Sequence, residues 1–486
     1  MSRRQARRET RGLRSARASR GQALVWLLGT MAAAAAVLWG VYNIGQLTNG
    51  KQKAVNAADA AALAGATVEA RTLNLMAYNN RSLIANEVFM IQTTALQGYM
   101  QYLSHTADNI EDYAKWIPYV GEVLSAILTT VEKVTAAIEK AMDVAIPAQV
   151  VVLEGLKKVT AATHGVLATT ASLMADKAAA DLVAANRAQF GTHMDAGVSV
   201  ESRAAVKTFT TAQNLLKWKA FTKRYSGSER KDAADVLLAS RDKFTGGPRP
   251  GSPLLTLNLG LMGFVKDGDT RLVSYDRWET EDTYEYWYWG LCGKPPLPCK
   301  KYEAIGWGRG NLDKPSSRGS TWSPGRDAQK RAYREGHAHG GWSGVPALYD
   351  VADKSASARE TLGVDYMIAV RRERKATQTS STMEVNKSVG SVAGDTDMDE
   401  QLLGQQLSAL GKARVFFERP QAGIGDSTAG ALVRHDGAKE YGSLYDPYWQ
   451  ARLQDVSYSE KLAYMTALGM SPTGAAAAAK VTPGGQ

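Results

Sequence analysis

Hydrophobic and polar positions divide the chain into three regimes. Ala23 to Gly45 reads ALVWLLGTMAAAAAVLWGVYNIG, an apolar run with no charge and a single Asn43. At about 1.5 Å per residue a helix of that length crosses the roughly 30 Å core of a bilayer. Trp26, Trp39 and Tyr42 fall where aromatic residues favour the two interfaces. A buried core helix seldom runs so far without a charge, so the pattern predicts one membrane span, and no second run of this kind follows. From Gln52 to Arg241 the pattern is helical. Leu73, Met76, Leu83, Ile84, Val88 and Ile91 form a core-facing stripe, with Asn79, Asn80, Arg81 and Asn86 between them. WIPYVG (116–121) predicts a corner, followed by helical stretches over Glu122–Val144 and Gln149–Phe190. There Lys133, Lys140, Lys157, Lys158 and Lys177, beside Glu132, Glu139, Glu154 and Asp176, are expected on solvated faces. A further helical stretch, Val198–Arg241, ends at the breaker cluster Gly246-Gly247-Pro248-Arg249-Pro250-Gly251.

Beyond that cluster the period changes to short alternating or apolar runs. Leu254–Leu261, Thr270–Tyr275, Thr283–Trp289, Tyr302–Trp307, Val364–Arg371 and Ala413–Glu418 are bounded by Gly, Pro, Asp or Ser, as strands are. Asp267-Gly268 predicts a hairpin turn, and Met398–Leu410 is the clearest helix of this part. The fold class expected is α+β: an N-terminal single transmembrane helix, a long α-helical stem and a C-terminal, mostly antiparallel β domain. The expected boundaries are a basic arm at 1–20, the membrane helix at 21–48, a helical region at 49–245, a β-rich domain at 252–470 and a flexible tail at 471–486.

Charge changes the picture by where it lies. The net charge is +10, but Arg3, Arg4, Arg7, Arg8, Arg11, Arg14, Arg17 and Arg20 against Glu9 give +7 before residue 21, leaving only +3 for the rest. No nucleic-acid-binding domain is therefore expected. Basic residues flanking a span are retained in the cytoplasm, so the eight Arg place the amino terminus inside and the bulk outside, in a bacterium the periplasm. Arg4, Arg7, Arg11 and Arg14 approximate one helical face that suits anionic lipid, with a solvated arm as the alternative. A cleavable secretory signal competes, because Ala62-Leu63-Ala64 resembles a cleavage site. The apolar run is, however, about twice the usual length of such a signal's hydrophobic part. A twin-arginine reading of Ser2-Arg3-Arg4 lacks the residues that should follow, since Gln5 and Ala6 stand there.

The two cysteines, Cys292 and Cys299, flank GKPPLP, and an oxidising compartment would join them in a disulfide. Zinc would need two more ligands at a recognised spacing. His337 and His339 form an H-x-H pair that a strand would present on one face, and Asp353-Lys354-Ser355-Ala356-Ser357 matches the D-x-S-x-S of cation-dependent adhesion sites. Loop histidines and a polar turn with a helix cap are the expectations for these two patterns. The aromatic run Tyr284–Trp289 could stack sugars or bases, but alternation on a strand turns half of it inward. No phosphate-binding loop, dinucleotide fingerprint, nucleophile elbow or zincin motif occurs, so no catalytic residue, metal, cofactor or small-molecule substrate is assigned.

Arg20-Gly21-Gln22, the apolar span and the exit NAADAAALAGA (56–66) together resemble the amino-terminal segment of TadG-like and TadE-like proteins of Flp (Tad, tight adherence) type IV pilus systems. WSGVP (342–346), ARVFFERP (413–420) and YDPYWQARL (445–453) look like parts of larger members. The resemblance implies a membrane-anchored, non-enzymatic component of pilus assembly or secretion, with a minor pseudopilin as one form of it. Its partners would be the inner membrane and other Tad pilus-assembly proteins or pseudopilins. Counting from Gln22, the fifth place, where processed pilins carry Glu, holds Trp26, so the helix is expected to stay attached. Ala57, Ala61, Ala64 and Gly65 are then the expected close-packing positions for a partner backbone, where Ala61→Leu or Gly65→Leu should impair assembly but not insertion. The alternative is a tethered metal-dependent adhesin or hydrolase using Asp353, Ser355 and Ser357 or His337 and His339.

Overall fold

Helix α1 runs unbroken from Gln22 to Ala114, joining the apolar run and the amphipathic stem into one rod. The structure is a computed structural model. It describes residues 22–114, 121–186, 194–196, 202–243, 245, 257–258, 260–294, 296–313, 325–355, 361–373, 406–419, 440–467, 473 and 475–476. The basic arm, residues 116–120 of the expected corner and the breaker cluster at 246–251 lie outside these residues, and Gly121 opens the next helix.

Helix α2 (Gly121–Ala185) returns antiparallel along α1. Gln97 Nε2 donates to Asp143 Oδ1 at 2.8 Å, and Lys157 Nζ lies 2.6 Å from Glu87 Oε1, so rising numbers on one helix meet falling numbers on the other. Strand β1 (Met194–Ala196), helix α3 (Ser202–Phe221), strand β2 (Thr222–Tyr225) and helix α4 (Lys231–Ala239) follow. The expected third helical stretch is thus split by a strand. Then come β3 (Leu257–Asn258), β4 (Met262–Val273), β5 (Arg277–Cys292), β6 (Leu297–Asp313), α5 (Asp327–Glu335), β7 (His337–Gly340) and β8 (Leu348–Val351). The chain closes with β9 (Gly363–Glu373), β10 (Gln406–Phe417), β11 (Trp449–Leu453) and α6 (Tyr458–Ala467).

Among the described residues three sheets form, in the orders β1-β9-β10-β11, β3-β4-β5-β6-β7 and β2-β8. All pairings are antiparallel except β6 with β7, so the class is α+β with an apolar leading helix and mainly antiparallel sheets. The stem's stripe is buried where it was expected, at Leu73, Met76, Leu83 and Ile91. One core joins Ala57, Ala61, Leu73 and α2 residues such as Ala171 to Tyr366, Ile368, Val415 and Trp449 of the first sheet. A second joins Leu83, Met90 and Ile91 to Trp278, Leu312 and Trp342. Helical and β-rich regions therefore share their cores.

Three local expectations are corrected. Asp267-Gly268 is not a turn: it lies inside β4, with Asp267 opposite Thr283 and Gly268 opposite Asp282. Gly268 has φ +134° and a Cβ there would lie 2.1 Å from Glu281 O, so the glycine serves a close strand contact. The reversal comes later, at Ser274-Tyr275, both with positive φ. Gln406–Leu410, expected as the end of a helix, is strand paired to β9 from Glu373 to Ala369, because ladder pairing overrides local helix propensity; 398–405 lie outside the described residues. Lys157 and Glu154 are not on a solvated face. Lys157 Nζ is held by Glu87, Glu154 and Gly344 O, while Glu87 Oε2 accepts from Trp342 Nε1 at 2.7 Å.

Candidate functional site

The apolar part of α1 stands clear of the body. Every residue from Ala23 to Leu38 is exposed, and so are Trp39, Tyr42, Ile44 and Leu47. This is a helix long and apolar enough to cross a membrane, and none of its most apolar window is buried in the protein. Burial begins at Gly50 and Ala54, where the first sheet meets the helix. Lys51 Nζ reaches Ser408 O of β10 at 2.5 Å, and burial lowers its pKa.

From Ala54 to Ala66 small side chains let strands approach the helix backbone. Ala57, Ala58, Ala61, Ala62 and Ala66 are fully buried and Ala64 is half-buried. A Cβ on Gly411 of β10 would lie 2.2 Å from Ala58 O, and one on Gly65 would lie 2.2 Å from the Tyr366 ring of β9. The backbone that these small residues admit is therefore the chain's own sheet. Ala61 and Gly65 sit in the core of the body, so Leu at either position would disturb folding before it reached a partner helix.

One turn further, Glu69 is 1% exposed and its Oε2 meets no hydrogen-bond donor among the described residues. Burial pushes its pKa up to about 8, the nearby Asp176 adds to the rise, and Lys217 opposes it. Asp176 of α2 accepts hydrogen bonds from Tyr366 Oη (2.8 Å), Thr211 Oγ1 (2.6 Å) and Asn214 Nδ2 (3.2 Å). Asn214 also donates to Met367 O and accepts from Met367 N, completing the edge of β9 with a side-chain amide. Sequence reading expected Asp176 on a solvated face, which these hydrogen bonds correct, and did not single out Glu69. Their signal is a carboxylate at helical spacing on an otherwise small or apolar face.

Higher on α1 the polar residues between the stripe positions grip the 444–449 segment. Asn80 Nδ2 donates to Leu444 O and Tyr349 O, Arg81 to Tyr445 O and Asp446, and Asn74 exchanges hydrogen bonds with the backbone of Trp449. Asp350 Oδ1 accepts from Leu444 N at 2.7 Å. These contacts explain why YDPYW sits where it does.

His337 and His339 do lie on a strand with parallel rings, 6.5 Å between centroids. Three of their four ring nitrogens are engaged: His337 Nε2 with Glu139 and Nδ1 with Asp143, both at 2.7 Å, and His339 Nε2 with Gln97 Oε1 at 2.6 Å. Burial pulls the pKa of His337 down, but Glu139 and Asp143 outweigh it and leave it raised, while burial and the His337 charge lower that of His339. Asp353 accepts from Ser355 N at 2.9 Å in an exposed turn, and Ser357 lies outside the described residues. No group of three or more His, Cys, Asp or Glu placed to hold a metal occurs among the described residues.

In the aromatic run, Tyr284 and Trp287 are buried, Tyr286 and Tyr288 half-buried and Trp289 exposed; Tyr284, Tyr286 and Tyr288 share one face of β5, where Phe264 of β4 lies against the first two and Tyr286 stacks on Tyr288 at 5.7 Å between centroids. Cys292 and Cys299 are joined by a disulfide across the β5–β6 end, with Cα atoms 5.8 Å apart.

No curated protein and no solved structure matches the chain. Residues 21–68 match the family model described as putative Flp pilus-assembly TadE/G-like. That match begins beside the exposed helix and ends just past the small residues lying against the sheet. The stretch that forms the apolar helix and its packed exit is thus the part of the chain that is similar to the TadE/G-like, Flp pilus-assembly family.

Proposed function

We propose that the chain is a membrane-anchored structural component of Flp pilus assembly or secretion, TadG-like in its N-terminal segment, with no catalytic role. The observation that carries this is the coincidence of the Tad match with a helix segment that leaves the body fully exposed and apolar. In this reading residues 22–48 span the inner membrane, the Arg block stays in the cytoplasm, and the body stands in the periplasm, where the Cys292–Cys299 bridge persists. Trp26 in place of a Glu supports a helix that stays attached. Its partners are the other Tad pilus-assembly proteins or pseudopilins.

Two measurements test it. A reporter active only in the periplasm, fused after Gly247, is expected to be active; activity only from a cytoplasmic reporter there would overturn the orientation. Deleting the chain is expected to remove surface pili and the full chain to restore them, and normal piliation without it would overturn the assembly role.

A further inference from the structure

Helix α2 carries a second regularity, on the side turned away from α1. Counting in sevens from Val131 meets Ile138, Ala145, Val152, Val159, Val166 and Leu173. The positions four before each, from Ile127 to Thr169, are Ile, Val, Ala, Ala, Gly, Ala and Thr. None of the fourteen is charged, and all fourteen are exposed. Val152 is 67% and Val159 64% accessible, although both are apolar. The residues that α2 buries, such as Ile146, Val150, Leu167 and Ala171, lie on its opposite side. A strict repeat at 3.5 residues is the seam of a coiled coil, narrower than the stripe that faces a core.

We propose that α2 pairs along this seam with α2 of a second copy, as a parallel, in-register, two-stranded coiled coil. Three arguments select that occupant. Both copies would be anchored in one membrane by the same helix, so a two-fold axis along the membrane normal brings each residue beside its own counterpart. β-branched residues dominate the Val131 series, as they do at one of the two seam positions of parallel two-stranded coils, and the alternate series, small from Ala141 on, lets the backbones approach. The seam presents on the order of 1,000 Å² of accessible surface, against about 800 Å² buried by each partner of a standard stable interface. The parallel direction rests on the anchoring proposed above; the seam does not.

Cysteine cross-linking of the full chain in its membrane tests this, since the native cysteines are already joined. Val131 and Leu173 are 42 residues apart, about 63 Å along the helix. Val131→Cys alone and Leu173→Cys alone should each give a disulfide-linked dimer on oxidation, and Lys140→Cys, off the seam, should not. Val159→Glu should halve the sedimenting mass while circular dichroism is unchanged, because that residue faces solvent within one copy. Dimers only when the two Cys variants are mixed would mean antiparallel pairing and would overturn the proposal. So would cross-links only to a different protein, or a monomeric mass for the unaltered chain. These outcomes are read independently of piliation, so failure of the pairing leaves the pilus reading standing or falling by its own test.

Discussion

Replacing Glu69 by Gln removes a proton from the folding equilibrium while nearly keeping the side chain's shape. Glu69 is buried against the Asp176 network and holds its proton up to about pH 8, whereas in the unfolded chain it would titrate near its ordinary value of 4.5. A carboxyl whose pKa is raised on folding binds more protons in the native state, so stability is full below about 4.5 and falls as pH rises towards 8. Each pH unit in that window costs about 1.4 kcal/mol, and the partly titrated ends reduce the three units from pH 5 to pH 8 to about 3 kcal/mol. Other buried acids titrate in the same window, Glu281 and Glu285 each being pushed up to about 7 by burial, so the informative quantity is the difference between parent and variant. Denaturant unfolding of the full chain in detergent at pH 5, 6, 7 and 8 should show Glu69→Gln gaining on the parent by about 3 kcal/mol across the series. A parent–variant difference that stays constant with pH would refute the buried, protonated acid and the burial that causes it.

Gly411→Ala should lower stability by about 1–3 kcal/mol, because its Cβ would sit 2.2 Å from Ala58 O and the helix would have to move off the sheet; an unchanged melting temperature would count against that contact. His337→Gln removes a cation held by Glu139 and Asp143, and since the pKa of His337 is raised, its stabilisation is full below about 6.5 and fades above its raised pKa. The variant should therefore melt below the parent at pH 6 and approach it at pH 9, and an equal deficit at both would contradict the ion pair. Thiol labelling of unfolded, unreduced protein should find no free cysteine, and two labelled thiols per chain would refute the Cys292–Cys299 bridge.

The apolar helix and most strands were legible because their periods are local. Val364–Arg371 falls inside β9, Thr283–Trp289 inside β5 and Tyr302–Trp307 inside β6. What escaped is set by distant partners. Lys157 looks like any helix-surface lysine until Glu87, from the antiparallel helix, and the 342–344 segment close around it. Gln406–Leu410 has helical composition but takes the conformation that β9 imposes. The small residues at 54–66 announced a close approach, and periodicity alone had no means of saying whether a foreign helix or the chain's own β10 would make it.

The unbroken course of α1 makes the body a lever. In the membrane setting proposed above, the helix continues without interruption from the apolar segment to Ala114, so an inclination of the short arm in the lipid is passed along it to the long one. From residue 48 to residue 114 the rod measures about 100 Å, and a typical tilt of about 20° carries its far end sideways by roughly 35 Å. A thinner or thicker bilayer, by changing that tilt, would sweep the distal sheet through an arc, and membrane thickness would become a coordinate of the assembly outside it.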